Sequence, residues 1–154
     1  LTRVCGPRVG LLLGVDLSKD PRLLHAAYND AAGVTARFNL NLLSRVNREL
    51  GADFELAAFR HHARYNPRAG RIEMHLVSRR AQRVAIGAER FTLAHGESIV
   101  TEHSYKYKLA HFHRLAAQAG FGLVRCWTDP AQWFSLNYFR AGQVPQRRRG
   151  ALGR

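Results

Sequence analysis

Hydrophobic positions along the chain switch between the period of a strand and the period of a helix, and each switch marks an element. Leu11, Leu12, Leu13 and Val15 form a short apolar run ending in Asp16, which predicts a strand buried on both faces of a parallel sheet. Working loops follow the carboxyl ends of such strands, so Asp16 to Pro21 is expected at a functional edge. Asp20-Pro21 predicts a helix start, aspartate as N-cap and proline in the first helical position, with Leu23, Leu24 and Ala27 as its apolar side. A second helix is expected from Asp30, where Val34, Phe38, Leu42, Val46 and Leu50 step by four, Leu43 widens the stripe, and Gly51 supplies the stop.

From about Arg60 to Tyr105 the period becomes that of a strand. Ile72, Met74 and Leu76 alternate with Glu73, His75 and Val77; Val84 and Ile86, then Phe91 and Leu93, repeat the pattern, with Asn66-Pro67 and Gly87 as turn signals. The expectation is an antiparallel meander. Tyr107 to Ala119 reads as a helix with Leu109, Phe112, Leu115, Ala116 and Ala119 on one face, closed by Gly120. Gly122 to Trp127 and Trp133 to Phe139, joined by Asp129-Pro130, predict a terminal hairpin.

With 154 residues and 46% hydrophobic content the chain can bury a core of ordinary domain size. Its longest apolar stretch near the start, Val9 to Val15, is too short for a membrane span and lacks a signal cleavage site. A cytoplasmic, membrane-free protein is expected. Cys5 and Cys126 lie far apart with no Cys-x-x-Cys pairing, and both read as ordinary thiols. The net charge of +13 would alone point to nucleic acid. Against that, the arginines are scattered and become dense only at Arg147-Arg148-Arg149, in a Gly- and Pro-containing tail expected to be disordered.

Three polar segments stand out from this framework. Asp16-Leu17-Ser18-Lys19-Asp20-Pro21 runs on to Ala27-Tyr28-Asn29-Asp30-Ala31-Ala32-Gly33-Val34-Thr35; Arg71-Ile72-Glu73-Met74-His75-Leu76-Val77-Ser78-Arg79-Arg80 follows; and Ile99-Val100-Thr101-Glu102-His103-Ser104-Tyr105-Lys106-Tyr107 closes the series. Collinearly, over about residues 11 to 140, they resemble the histidine-specific S-adenosylmethionine-dependent N-methyltransferases of ergothioneine biosynthesis. That resemblance implies an α/β fold, the C-terminal half of a class I (Rossmann-like) methyltransferase with an inserted α+β substrate-binding subdomain. Residues 1–17 would supply a core strand, 18–105 the subdomain, 106–140 the return to the core, and 141–154 the tail. Class I enzymes hold their donor with a glycine-rich turn and an acidic residue after the first two strands, and no segment here supplies either. The S-adenosylmethionine site is therefore expected outside this chain, with no cofactor-binding residue within it.

Glu102 and Ser104 are two apart in an extended segment, so both project from one face, roughly 7 Å apart. A carboxylate and a hydroxyl so placed can hold the two nitrogens of an imidazole, although spacing alone favours an ordinary solvated strand face. The resemblance implies that Glu102 and Ser104 bind the substrate imidazole, that Tyr28 bonds the substrate carboxylate, and that Met74 lies under the ring. The family usually has asparagine where this chain has His103, a position expected to face the other way. Asn29 and Asp30 read as helix caps. His111 with His113, and His61 with His62, have the wrong spacing for a shared metal, and no metal is expected.

The reading is thus a methyltransferase that acts on the α-amino group of L-histidine to give its trimethylated betaine, a monomer with a small-molecule partner and no residue in covalent catalysis. Two alternatives stay open. One is a same-fold enzyme for another amino acid or amine, such as an indole-bearing one; the other is a basic nucleic-acid-binding module.

Overall fold

A computed structural model describes residues 2–142, so the expected basic tail lies outside the described residues apart from Ala141 and Gly142. In chain order the elements are α1 (Thr2–Cys5), β1 (Gly10–Asp16), α2 (Pro21–Tyr28), α3 (Val34–Leu50), β2 (Phe59–Asn66), β3 (Arg71–Ser78), β4 (Gln82–Ile86), β5 (Glu89–Leu93), β6 (Ser98–Tyr105), α4 (Leu109–Gln118), β7 (Phe121–Thr128) and β8 (Phe134–Ala141). They form two compact units, Lys19–Tyr105 and the segments that flank it.

In the flanking unit β8 lies between β1 and β7 and runs antiparallel to both. The expectation for β1 is therefore corrected for the described residues: its ladder partner is antiparallel, it sits at the edge of their sheet, and Val15 is its one buried residue while Leu12 is 58% exposed. Leu11 and Leu13 of the apolar run are partly buried against the cluster of Phe121, Phe139 and Ala141. Gly10 and Gly14 leave room for two rings of β8, since a Cβ on them would fall 2.8 Å from the Tyr138 hydroxyl and 2.6 Å from the Phe134 ring. Phe112 and Ala116 of α4 pack on Phe121, Phe139 and Ala141. Two other parts of the α4 expectation fail: Leu115 is exposed, as is Ala119, and the helix starts at Leu109 because Tyr107 forms a parallel bridge with Leu17. That bridge, the Lys106 to Asp16 ion pair at 2.9 Å, and the bond from Ser18 N–H to the Tyr107 carbonyl pin together the points where the chain leaves this unit and returns.

In the unit Lys19–Tyr105, β3 is the central strand between β2 and β6, antiparallel to each. Ile72, Met74 and Leu76 share one face with Ala63 and His61 of β2, and α2 and α3 pack against it through Leu24 and Leu43. The expected meander is interrupted. Ser78 N–H bonds the Glu97 carbonyl and Gly96 N–H the Ser78 carbonyl, which joins β3 straight to β6. The β4–β5 hairpin is thereby looped out as a separate two-stranded sheet, held by the Asp53 carboxylate on Ala85 N–H at 2.7 Å.

Both helices begin as local chemistry dictates. Asp20 caps α2 by accepting Arg22 N–H at 2.8 Å, ahead of Pro21. Asp30 caps α3, its two carboxylate oxygens each 2.8 Å from the N–H groups of Val34 and Thr35, after a turn in which Gly33 adopts φ 67°. The helix therefore starts at Val34 and not at Asp30. The apolar faces differ more. On α2 Leu24 is buried while Leu23 and Ala27 are exposed. On α3 the expected stripe points largely to solvent: Phe38 is 67% exposed, and Val34, Leu42 and Leu50 are exposed too. A step of four residues gains about 40° on each turn of a helix, so a stripe of five such residues wraps by about 160° and cannot lie on one flat sheet. The sheet instead receives Asn39, Leu40 and Leu43.

Candidate functional site

The site is built on the pairing of β6 with β3. Ser104 stands opposite Ile72, His103 opposite Glu73, and Glu102 opposite Met74; then the register shifts, and His75 faces Val100 and Leu76 faces Ile99. Thr101 is the extra residue of a β-bulge. Glu102 and Ser104 consequently share a face with Met74 and Ile72, while His103 lies on the opposite face with Glu73. The end of α2 brings in Tyr28, whose hydroxyl is 2.8 Å from the Ser104 Oγ.

Met74 is 2% exposed and packs with Leu24, Ala63 and Ile72, so it forms a floor to this face and not an open wall. Glu102 is exposed and makes neither hydrogen bond nor ion pair among the described residues. Its carboxylate borders a cavity of about 190 Å³ lined also by Phe38, Asn39, Leu42, Arg45 and Thr101. That is below the usual range for drug-sized ligands, about 300–1,000 Å³, and on the scale of one ring. The structure thus brings Tyr28 to Ser104 and Glu102 to Met74 on one face, with Glu102 alone of the four lining the cavity.

A buried polar network lies beneath. The amide nitrogen of Asn39, a residue 3% exposed, donates to the His75 carbonyl at 3.2 Å and to His61 Nδ1 at 3.0 Å. Since Nδ1 then accepts, the His61 proton resides on Nε2, which donates to the Tyr28 carbonyl at 2.7 Å. The Thr101 hydroxyl sits 2.6 Å from Asn39 Oδ1 and 3.1 Å from the Met74 carbonyl. Asn29 closes α2 and clamps it to β2, donating to the Ala63 carbonyl and accepting Ala63 N–H, each at 2.9 Å. From the sequence Asn29 reads as a cap and His61 as half of a rejected metal pair, and Asn39 has no role. A signal for Asn39 was present: it is a polar residue four before Leu43, in the line of α3 that packs.

The opposite face of the sheet is a different electrostatic environment. Hydrogen bonds from Asn66, Arg71 and Arg64 pull the Glu73 carboxyl down from its ordinary 4.5 to about 2. His75, buried beside it with Nε2 3.9 Å from Glu73 Oε2 and without a hydrogen bond among the described residues, has its pKa lowered first by burial and then by Arg64. Among the described residues no group of three histidine, cysteine or acidic side chains is placed to hold a metal ion, and no helix is long and apolar enough to cross a membrane.

Comparison with known proteins shows the family. A family model described as histidine-specific methyltransferase, SAM-dependent, matches residues 1–141. The chain is 48% identical over 133 residues to a histidine N-alpha-methyltransferase of Mycolicibacterium smegmatis, covering 85% of this chain and 41% of that protein. A histidine N-alpha-methyltransferase of Mycobacterium tuberculosis is 45% identical over 139 residues, covering 89% of this chain and 43% of its own length. Ergothioneine biosynthesis protein 1 of Neurospora crassa is 30% identical over 141 residues, 82% of this chain and 14% of that protein. The chain spans about two fifths of the length of the two bacterial relatives, and it belongs to the histidine-specific, S-adenosylmethionine-dependent methyltransferase family.

Proposed function

We propose that this chain supplies the substrate-recognising part of an enzyme that transfers methyl groups from S-adenosylmethionine to the α-amino nitrogen of L-histidine, a step of ergothioneine biosynthesis. The observation that carries the reading is the placement of Glu102, Ser104 and Met74 on one sheet face with Tyr28 of α2 against Ser104, Glu102 holding no partner among the described residues. In this reading Glu102 accepts the ring N–H and the Ser104 hydroxyl satisfies the other ring nitrogen. Tyr28 has one hydroxyl proton, which it gives either to Ser104 or to the substrate carboxylate. Where Ser104 is the donor in their contact, Tyr28 can hold the substrate carboxylate and keep that contact at once.

The residues present do not fit the methyl donor. The connection from β1 to α2, Leu17-Ser18-Lys19-Asp20, contains no glycine, and Asp16 is paired to Lys106. The glycines of β1 make room for aromatic rings within the sheet. We place the donor site, and the remaining strands of a class I sheet, in residues beyond this chain. Two features of the flanking unit support that reading: among the described residues β1 is an edge strand, and the sheet face carrying Leu12, Trp127, Phe134 and Leu136 is apolar yet exposed. The role of the present residues is to hold a histidine by both ends so that its neutral amine is aimed and water is excluded, a contribution made by orientation without a covalent intermediate.

Titration calorimetry on the chain tests this directly. Histidine is expected to bind in preference to tryptophan and the donor to give no heat. A saturable donor isotherm would refute the placement of the donor site, and equal binding of histidine and tryptophan would refute the imidazole site.

A further inference from the structure

We propose that Asn39 is a positioning residue for imidazole recognition: it holds the bulge at Thr101 that turns Glu102 and Ser104 onto the site face. The imidazole role itself rests on the function proposed above; the control of register stands on geometry alone. Ile99 packs against the core of Leu43, Phe59 and Leu76, which fixes the start of β6 on the helix-covered face. In a regular strand alternate residues share a face, so Ile99 would be followed there by Thr101, His103 and Tyr105. Glu102 and Ser104 would then point to the other face, with Glu102 opposite the buried Glu73. The extra residue at Thr101 reverses this, and one strand can both bury Ile99 and present Glu102.

A bulge leaves backbone groups out of the ladder, and Asn39 lies where they are. Its amide nitrogen donates to the His75 carbonyl, and its Oδ1 holds the Thr101 hydroxyl where that one proton is shared with the Met74 carbonyl, so it acts on both residues between which the register shifts. The same amide sets the tautomer of His61 and, through Nε2, the carbonyl at the Tyr28 end of α2. A residue of α3 thereby couples the imidazole end of the site to its tyrosine.

The test uses the full chain with three substitutions. Asn39→Leu keeps the branched outline and removes the amide, Thr101→Val keeps the shape and removes the hydroxyl, and Thr101→Ser restores it. Nuclear Overhauser contacts report register, and calorimetry with histidine reports the site. Expected for Asn39→Leu and Thr101→Val is loss of the contacts pairing Met74 with Glu102, together with roughly tenfold weaker histidine binding, the scale of one lost buried hydrogen bond. Thr101→Ser should retain both. If Asn39→Leu does not fold, Thr101→Val, which exchanges one oxygen for a methyl, decides the matter alone. Unchanged pairing in the folded variants overturns the inference whether or not the chain binds histidine. Altered pairing in a chain that never bound histidine upholds the register role and refutes the site reading instead.

Discussion

Replacing Glu102 by alanine removes the charged side chain on the site face of β6, and the structure allows its two effects to be separated. Within the protein Glu102 bonds nothing among the described residues and is exposed, so its loss should leave stability within about 0.5 kcal/mol. Towards a ligand it offers a charge-assisted hydrogen bond, worth about 1.5–3 kcal/mol when desolvated. Its exposure selects the lower end, and 1.5 kcal/mol corresponds to roughly a tenfold rise in the dissociation constant for histidine. A ligand whose affinity does not depend on an imidazole should lose much less. The assay is parallel titration of histidine and tryptophan into the parent chain and the Glu102→Ala variant, with melting curves as the control. The histidine-to-tryptophan preference should fall by about the same factor of ten while the melting temperature holds. A preference that survives the substitution would refute the reasoning, because Glu102 would then not be reading the ring.

Tyr28→Phe breaks the 2.8 Å contact with Ser104 and should cost about 1 kcal/mol of stability by chemical denaturation; it should also weaken all amino acids alike, through the shared carboxylate. Leu43→Ala, in the core, should cost about 2–5 kcal/mol, whereas Phe38→Ser, at a side chain 67% exposed, should cost close to nothing in the same denaturant series. The pKa of His75 is lowered from 6.5 by burial and by Arg64, so its stabilising effect is complete above that value and is lost as the pH falls and the unfolded chain takes up the proton first. Melting followed from pH 7 downwards should therefore decline early, and His75→Asn should flatten that decline; an unchanged slope would exclude His75 as its source. Glu73 acts lower still, its contribution disappearing between about 4.5 and about 2, and Glu73→Gln should remove that second acid step.

Some of this was legible in the sequence because the signal is local. The Asp20-Pro21 cap, the Gly87 turn and the terminal hairpin each depend on a few adjacent residues, and each appears as expected. The outward-facing stripe of α3 was not legible, because periodicity reports that a helix has an apolar line and not which neighbour receives it. Asn39 and Leu43 face the sheet since Asn39 finds buried partners there and Leu43 fills the core. For β1, an unbroken apolar run cannot distinguish burial on two faces from a strand whose glycines admit rings from its neighbour. At the site, simple alternation placed Glu102 and Ser104 together, but the bulge behind them depends on contacts 62 residues apart, from Thr101 to Asn39. No local pattern encodes such a pairing.

Met74 is the single methionine of the chain and forms the floor beneath Glu102 and Ser104, so selective labelling of its methyl group gives one signal from the middle of the site. Histidine titrated into the labelled chain should move that signal saturably, with the displacement expected of a nearby aromatic ring, and the movement should be lost at the same concentrations in the Glu102→Ala variant. A Met74 signal that stays in place while histidine is raised to saturating levels, or that responds equally with and without Glu102, would contradict recognition of the imidazole on this face.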